Sequence, residues 1–152
     1  PLHAQYMQTI NCDNGLSNRR VFQIVKDKSH FMWFATRAGF DRYDGKNIRH
    51  YTLPQTKDSR IFGLATSPDG DIWGFSSHGN LYYYDKNTDS YNLQLRLDSL
   101  LQTDEPFIFK IYVDTRNCIW ICSSQGLYCY FPQEIVCLSV GRPEVYTGFS
   151  WK

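Results

Sequence analysis

Apolar and polar residues recur along the chain in three copies of one pattern. Each copy opens with an apolar-Phe-x-apolar quartet and reaches a tryptophan twelve residues after the quartet begins. A hydroxyl side chain lies three residues past the tryptophan, and a glycine lies six past it. The copies comprise Val21-Phe-Gln-Ile24, Trp33, Thr36 and Gly39; Ile61-Phe-Gly-Leu64, Trp73, Ser76 and Gly79; and Ile108-Phe-Lys-Ile111, Trp120, Ser123 and Gly126. Copies in fixed phase, 40 and 47 residues apart, are typical of β-propeller blades.

Each copy divides into four short apolar segments separated by turn residues, which is the pattern of four antiparallel strands. The predicted strands are 21–27, 32–35, 40–44 and 48–52 in the first copy, 61–67, 71–75, 81–85 and 90–94 in the second, and 108–114, 118–122, 127–131 and 134–140 in the third. The first strand of each copy is apolar on both faces, as expected for a strand buried between neighbouring sheets. The sequence therefore predicts an all-β fold: a β-propeller fragment of about three four-stranded antiparallel blades.

The segments around the three copies complete the predicted organisation. A strand over Tyr6–Ile10 is predicted, of the kind that closes a propeller ring, and residues 93–101 predict one helical turn. The resulting division is 1–4, a signal-peptide remnant; 5–20, an N-terminal strand and link; 21–57, blade one; 58–103, blade two with a linker; 104–141, blade three; and 142–152, a tail or the start of a further blade.

The loop before each tryptophan repeats one turn chemistry. These loops are residues 27–30, 67–70 and 114–117. Each begins with Asp or Ser, whose side chain accepts hydrogen bonds from the amides of its own turn. Each ends with His30, Gly70 or Asn117, residues that enter the left-handed backbone region readily. We therefore predict hairpins whose last loop residue has a positive φ angle.

Composition and charge narrow the functional classes. The chain has 152 residues, of which 16% are aromatic, and a net charge of +1 with both signs interspersed. That length allows one domain with a sizeable core. The absence of a basic stripe argues against nucleic-acid binding. No apolar run approaches 18 residues, so we expect no membrane contact by this chain. No cofactor is expected.

Five cysteines are present, and the odd number leaves at least one unpaired. Most lie in strand-like runs, where they are interpreted as small buried apolar side chains. The alternative is a Cys122–Cys129 disulfide across a hairpin that turns at Gln125 and Gly126. Their spacing does not match a zinc site, so no metal is expected.

Candidate binding residues come from propeller geometry, in which the second-to-third strand turns and the links between blades share one face. We call this the turn face, and its candidate residues are Arg19, Arg20, Arg37, Arg60, Ser77, His78, Ser124 and Gln125. Guanidinium groups match the carboxylate or sulfate groups of acidic sugars; the alternative is a solvated rim. The three repeat tryptophans are interpreted as packing between blades. No catalytic cluster is visible, because the histidines are scattered over different parts of the repeat.

One family resemblance emerges from the first copy. Gly15-Leu-Ser17, Val21-x-x-Ile24, Asp27, Trp33-Phe-Ala-Thr36, Gly39-Phe40 and Arg42-Tyr-Asp-Gly45 together resemble the two-component regulator propeller repeat. The resemblance is specific over about residues 5–52 and weaker afterwards, with Gly74 in place of a bulky residue. It implies the N-terminal part of the periplasmic sensing propeller of a hybrid two-component histidine kinase from gut Bacteroidetes. Such sensors often detect oligosaccharides. None of the kinase parts lies in this chain.

Two alternatives come from other classes. Gly70-Asp-Ile-Trp73 is similar to a turn of the streptogramin lyase propeller, which would make the chain part of an enzyme, although its histidines do not converge. The other alternative is an interaction scaffold without a small ligand. At the N-terminus, Leu2 and Ala4 match the residues that precede a signal-peptidase cut, which suggests an exported protein that begins near Gln5.

The open arc of three blades has a consequence for assembly. Its two ends would carry apolar faces that a closed ring covers, and such patches promote association. We therefore expect self-association, most simply a two-fold homodimer whose arcs complete each other, with Tyr6–Ile10 pairing onto the other chain.

Overall fold

The computed structural model of the chain describes residues 5–54, 59, 61–101, 106–132, 134–140 and 145–146, with the backbone alone for 101, 134–140 and 145–146. The first copy forms β1 (Val21–Lys26), β2 (Met32–Thr36), β3 (Gly39–Tyr43) and β4 (Ile48–Tyr51). The second forms β5 (Phe62–Thr66), β6 (Ile72–Ser76), β7 (Asn80–Asp85) and β8 (Ser90–Arg96). The third forms β9 (Ile108–Val113), β10 (Ile119–Ser123), β11 (Gly126–Phe131) and β12 (Glu134–Val140).

The strands form three antiparallel sheets, one for each sequence copy, and within each sheet the strands pair in chain order. All twelve predicted blade strands are present within a residue or two of their expected ends. A short strand, β13 (Val145–Tyr146), pairs with β12 as a fifth strand of the third sheet. The fold is all-β and consists of three consecutive blades of a β-propeller.

The predicted helical turn between blades two and three is confirmed as α1 (Leu97–Leu101). Leu97 and Leu100 are buried and anchor this turn in the core beneath it. No helix in the described part of the chain has the length and apolar character needed to cross a bilayer.

The N-terminal strand, which was expected to pair with another chain or a further blade, stays a prediction. Residues 5–10 join no sheet, and Tyr6 and Met7 are exposed. A strand persists only where a sheet edge accepts its hydrogen bonds, and Tyr6–Ile10 pairs with no sheet edge among the described residues. The link that follows forms a 3₁₀ turn at Cys12–Asn14, capped by the side chain of Asn11.

Each repeat tryptophan faces the blade that follows it in the chain. Trp33 is fully buried and packs edge-on against Tyr84 and Tyr91 of blade two, with ring centroids 4.7 and 6.0 Å apart. Trp73 is buried in the core cluster shared by blades two and three. Trp120 occupies the equivalent register but is only half-buried, because its face of blade three is covered by no other blade among the described residues. The predicted burial is therefore confirmed for Trp33 and Trp73 and is incomplete for Trp120.

Blades one and two pack together where a large side chain of blade one lies against a glycine of blade two. A Cβ atom added to Gly74 would clash with the ring of Phe40, which occupies the space that a bulkier residue would take. Toward the start of the inner strands, the Gln23 side-chain carbonyl accepts a hydrogen bond from the Leu64 amide at 3.0 Å. Gln23 therefore forms a hydrogen bond to the next blade.

The loops before the tryptophans confirm the predicted turn chemistry. His30, Gly70 and Asn117 have φ angles of 68°, 92° and 59°. The side chain of the first loop residue accepts the amide four residues later in all three loops: Asp27 from Phe31, Ser67 from Asp71 and Asp114 from Cys118, at 2.9 to 3.0 Å. A function of the two aspartates was not predicted. Their second carboxylate oxygens accept the indole N–H groups of Trp33 and Trp120 at 2.8 and 3.0 Å.

The disulfide joins Cys118 to Cys129, with Cα atoms 6.3 Å apart, so the Cys122–Cys129 pairing that the sequence offered as an alternative is wrong. The β10–β11 register explains the difference. Cys129 lies opposite Trp120 and is a diagonal neighbour of both other cysteines. Cys118 is fully buried beside Cys129, whereas Cys122 is exposed. Cys12 is also exposed and unpaired, and the Cys137 side chain lies outside the described residues.

The tryptophans allow a matched test of packing between blades. We expect Trp33→Ala to lower the free energy of unfolding by about 3–5 kcal/mol. Trp120→Ala should cost clearly less, because Trp120 keeps the same indole-aspartate hydrogen bond but lacks a covering blade. Urea denaturation followed by circular dichroism measures both values. Equal losses would contradict the assignment of stability to the blade that follows.

We propose that the isolated chain self-associates through the two end faces of its arc. Phe22 and Ile24 are 43% and 56% exposed at one end, and Phe109 and Tyr112 are 61% and 64% exposed at the other. Sedimentation at micromolar concentration should show dimers, and Ile24→Glu should shift them toward monomers because it charges an apolar face. Lys46→Glu, on an exposed turn, is the control. A wild-type monomer that unfolds cooperatively would contradict this proposal.

Candidate ligand-binding faces

Backbone hydrogen bonds bring the predicted site residues to one face. In each blade the second-to-third strand turn is tied to the entry of the first strand. The donors are the amides of Arg37, Ser77 and Ser124, and the acceptors are the carbonyls of Arg20, Ile61 and Phe107, at 3.0, 2.8 and 2.8 Å. The repeated tie places these turns at equivalent positions of successive blades. The three turns are therefore equivalent, and ligand binding at the turn face stays a prediction.

The turn-face residues differ in their availability to a ligand. Arg19, Arg20, Arg37, His78 and Gln125 are exposed. Ser77 is buried, whereas Ser124 is exposed and its hydroxyl accepts the Phe107 amide at 3.2 Å. Arg60 lies outside the described residues. Within the described ranges, no carboxylate forms an ion pair with the three exposed arginines.

A buried carboxylate beside the turn face was not predicted. Asp41 is fully buried and accepts the Ser17 amide at 2.8 Å and bonds to the His50 imidazole at 2.7 Å. The Ser17 hydroxyl is also bonded to that of Thr36 at 2.9 Å. These contacts hold the N-terminal link against blade one, which gives the Gly15-Leu-Ser17 motif a structural function.

A charged and aromatic cluster clamps blade one to blade two. Asp89 of blade two accepts hydrogen bonds from the hydroxyls of Tyr51 and Tyr84, both at 2.6 Å. It also pairs with Arg49 at 2.6 Å and with Arg42 at 3.4 Å. The Arg42 guanidinium lies over the rings of Phe31, Trp33 and Tyr51. The clamp fills the outer part of this junction between blades.

The charges and hydrogen bonds of the clamp set the ionisation of its members. Burial disfavours the charged form of Asp89, but the hydrogen bonds from Tyr51 and Tyr84 and the two guanidinium groups outweigh it and lower the pKa of Asp89. Burial and the hydrogen bonds to Asp89 raise the pKa of Tyr51 and Tyr84. Both hydroxyls therefore remain protonated donors.

The junction between blades two and three contains an open cleft of about 520 Å³. Its lining combines aromatic and polar side chains, which include Asp71, Trp73, Tyr83, Gln94, Arg116 and Phe131. It lies at the outer side of the junction, by the loops that precede the tryptophans, and away from the turn face. Sequence reasoning missed this cleft. The sequence feature that could have indicated the cleft is Ser67, which replaces the aspartate found at this position in the other two copies.

The three described histidines lie on different elements of the fold. His30 ends a hairpin loop, His50 lies in β4 and His78 lies in a turn of blade two. Among the described residues, no group of three or more His, Cys, Asp or Glu side chains could hold a metal ion.

Comparison with solved structures relates this architecture to known proteins. The extracellular domain of the hybrid two-component system BT4673 from B. thetaiotaomicron superposes on 91% of the chain with a TM-score of 0.72 and 17% identity. That of BT3049 superposes on 80% of the chain with a TM-score of 0.62 and 25% identity. Virginiamycin B lyase from Staphylococcus aureus superposes on 85% with a TM-score of 0.64 and 16% identity. No family model and no curated protein matches the chain.

The chain resembles the extracellular domains of Bacteroides hybrid two-component systems. It spans 19% and 18% of the two domains and 44% of the lyase. The resemblance agrees with the one that the sequence motifs of the first copy indicate. The likeness to the lyase shows a shared fold.

The clamp predicts a pH dependence of stability. Because folding lowers the pKa of Asp89 below its usual 3.8, its ionisation stabilises the fold above that pH, and the contribution is lost as pH falls through the folded pKa. Asp89→Asn should cost about 1.5–3 kcal/mol at pH 7. The variant should also lose less stability than the wild type between pH 5 and the acid range, roughly pH 2.5.

Urea titrations at several pH values measure this difference. Asp85→Asn in the same turn is the matched control, because its side chain accepts only the local Asn87 amide. Parallel acid profiles for the wild type and Asp89→Asn would contradict the clamp.

Proposed function

We propose that the chain is part of the periplasmic ligand-sensing propeller of a hybrid two-component system. The observation that carries the proposal is the match of its three blades to the extracellular domain of BT3049 at 25% identity over 80% of the chain. The buried Cys118–Cys129 disulfide also supports an exported protein, because structural disulfides persist in oxidising compartments such as the periplasm. In this proposal the parent protein is an inner-membrane sensor histidine kinase that regulates transcription.

The proposed ligand is an oligosaccharide with carboxylate or sulfate groups, bound at the turn face. Support comes from Arg19, Arg20 and Arg37, which are exposed and form no ion pair with a carboxylate in the described ranges. A guanidinium presents paired donors that fit such groups in a bidentate manner. His78 and Gln125, also exposed on this face, add further hydrogen-bonding partners. The turn face is therefore a surface for recognition rather than for chemistry.

The lyase fold is the basis of the alternative, a propeller enzyme. The variant of virginiamycin B lyase that is described as catalytically inactive differs at one histidine. Here the described histidines lie on separate elements, without a metal-binding group near them. We therefore favour binding without turnover. A ligand-free interaction scaffold is the other alternative, and a failure to bind any oligosaccharide would favour it.

Calorimetry with uronic-acid and sulfated oligosaccharides tests ligand binding at the turn face. We expect Arg37→Ala to weaken binding about tenfold, the effect of losing one charge-assisted contact of about 1.4 kcal/mol. Arg37→Lys should restore only part of the affinity, because an ammonium group lacks the paired donors. Lys46→Ala is the control for a change of net charge. Binding that Arg37→Ala leaves unchanged would place the ligand elsewhere.

The reading frame that encodes the chain tests the sensor assignment separately. A kinase core downstream of the blades would support it. A stop codon directly after Lys152 would contradict it.

A further inference from the structure

The two junctions between blades are built differently at equivalent positions. In the strand register, Arg42 lies opposite Trp33 in blade one, and Tyr83 lies opposite Trp73 in blade two. Blade two therefore lacks the cation that reaches across to the next blade. The corresponding turn of blade three is shorter, because only two residues separate Phe131 of β11 from Glu134 of β12. The longer turn of blade two carries Asp89 at the corresponding place.

The missing clamp explains why the second junction is open. The cleft of about 520 Å³ lies within the usual range of ligand pockets, roughly 300–1,000 Å³. The lining residues that the structure describes all belong to blades two and three. This distinguishes it from the exposed end faces of the arc.

Aromatic rings form one part of the cleft wall. Trp73 and Tyr83 lie side by side with centroids 4.9 Å apart, and Phe131 of blade three lines the same space. The polar part consists of Asp71, Gln94 and Arg116. Gln94 is exposed, and Arg116 is 73% exposed with its nearest carboxylate, Asp114, 3.9 Å away. These two side chains are therefore available to a ligand.

An unmatched hydrogen-bond donor also belongs to the cleft wall. In blades one and three the indole N–H donates to an aspartate at the start of the preceding loop. Blade two has Ser67 there, and the Ser67 hydroxyl is used by the Asp71 amide. Among the described residues, no acceptor lies within hydrogen-bond distance of the Trp73 indole nitrogen. The Trp73 indole N–H is therefore available as a donor, and a ligand hydroxyl in the cleft would accept it.

The chemistry of the lining identifies the class of ligand. One carboxylate and one guanidinium balance each other, so a charged ligand gains little net attraction. Aromatic faces favour an apolar ring surface, while the carboxylate, amide and guanidinium groups require several hydroxyls around that ring. A pyranose or furanose unit has both properties.

We propose that the cleft between blades two and three binds a neutral saccharide. The sugar ring packs against Trp73, Tyr83 and Phe131. Its hydroxyls bind Asp71, Gln94 and Arg116, and one accepts the Trp73 indole N–H. This cleft is a second site, separate from the turn face. The ligand proposed for the cleft is neutral, whereas the ligand proposed for the turn face is acidic.

Nuclear magnetic resonance of the full chain tests the site at a single atom. Maltotriose, cellotriose, xylotriose and mannotriose are titrated up to about 10 mM, where a millimolar site is largely occupied. We expect at least one to shift the Trp73 indole N–H resonance saturably. The indole resonances of Trp33 and Trp120 should not move, because aspartates already accept those protons. If no trisaccharide shifts the Trp73 resonance, the proposal is wrong.

Substitutions separate this site from the turn face. Gln94→Ala and Arg116→Ala should each weaken binding at least about fivefold, and Tyr83→Ala at least about tenfold, because each removes a lining group. Arg37→Ala and Gln125→Ala, the same residue types on the turn face, are the matched controls and should leave binding unchanged. Loss of binding in the controls but not in the cleft variants would overturn the cleft and leave the turn-face proposal standing.

Discussion

The need to cover each sheet on both of its faces governs this structure. A four-stranded blade is apolar on both sides, so it is stable only between two neighbours. The repeat tryptophan of blade one packs against blade two, which follows it in the chain. The repeat tryptophan of blade two packs against blade three in the same way. The gradient of burial from Trp33 to Trp120 follows directly from which face has a neighbour. Stability is thus shared between adjacent blades, as in other repeat proteins.

Local chemistry made much of the fold predictable. Strand positions and the hairpin loops with positive φ follow from residues a few positions apart, such as the Asp27 side chain and the His30 backbone. Features that depend on partners far along the chain were not predictable. Tyr6–Ile10 has the composition of a strand but pairs with no sheet edge among the described residues, and the disulfide depended on a register that the turn alone did not fix.

The candidate sites also divide into features that the sequence predicts and features that it does not predict. The turn face was predictable because it depends on repeat geometry, although the sequence did not reveal that Ser77 would be buried. The Arg42–Asp89 clamp joins residues 47 positions apart, and a single sequence gives no sign of such a pair. The cleft results from the absence of that clamp at the next junction. A position that differs between the copies of a repeat is therefore one that is not needed to hold adjacent blades together. Such a position is free to acquire a function.

The fit of Phe40 against Gly74 has a consequence for the order of the blades. At the next junction the equivalent positions are Leu81 and Ile121, two residues of intermediate size in one core cluster. At the first junction the large Phe40 side chain lies against a glycine, whereas at the second junction both positions carry side chains of intermediate volume. Exchanging blades would press Phe40 onto Ile121 and leave Leu81 above an empty space. The blades are therefore not interchangeable, because each one packs well only against the blade that follows it in this chain. Recombination between the copies would disrupt this packing and would be selected against, although the copies are related in sequence.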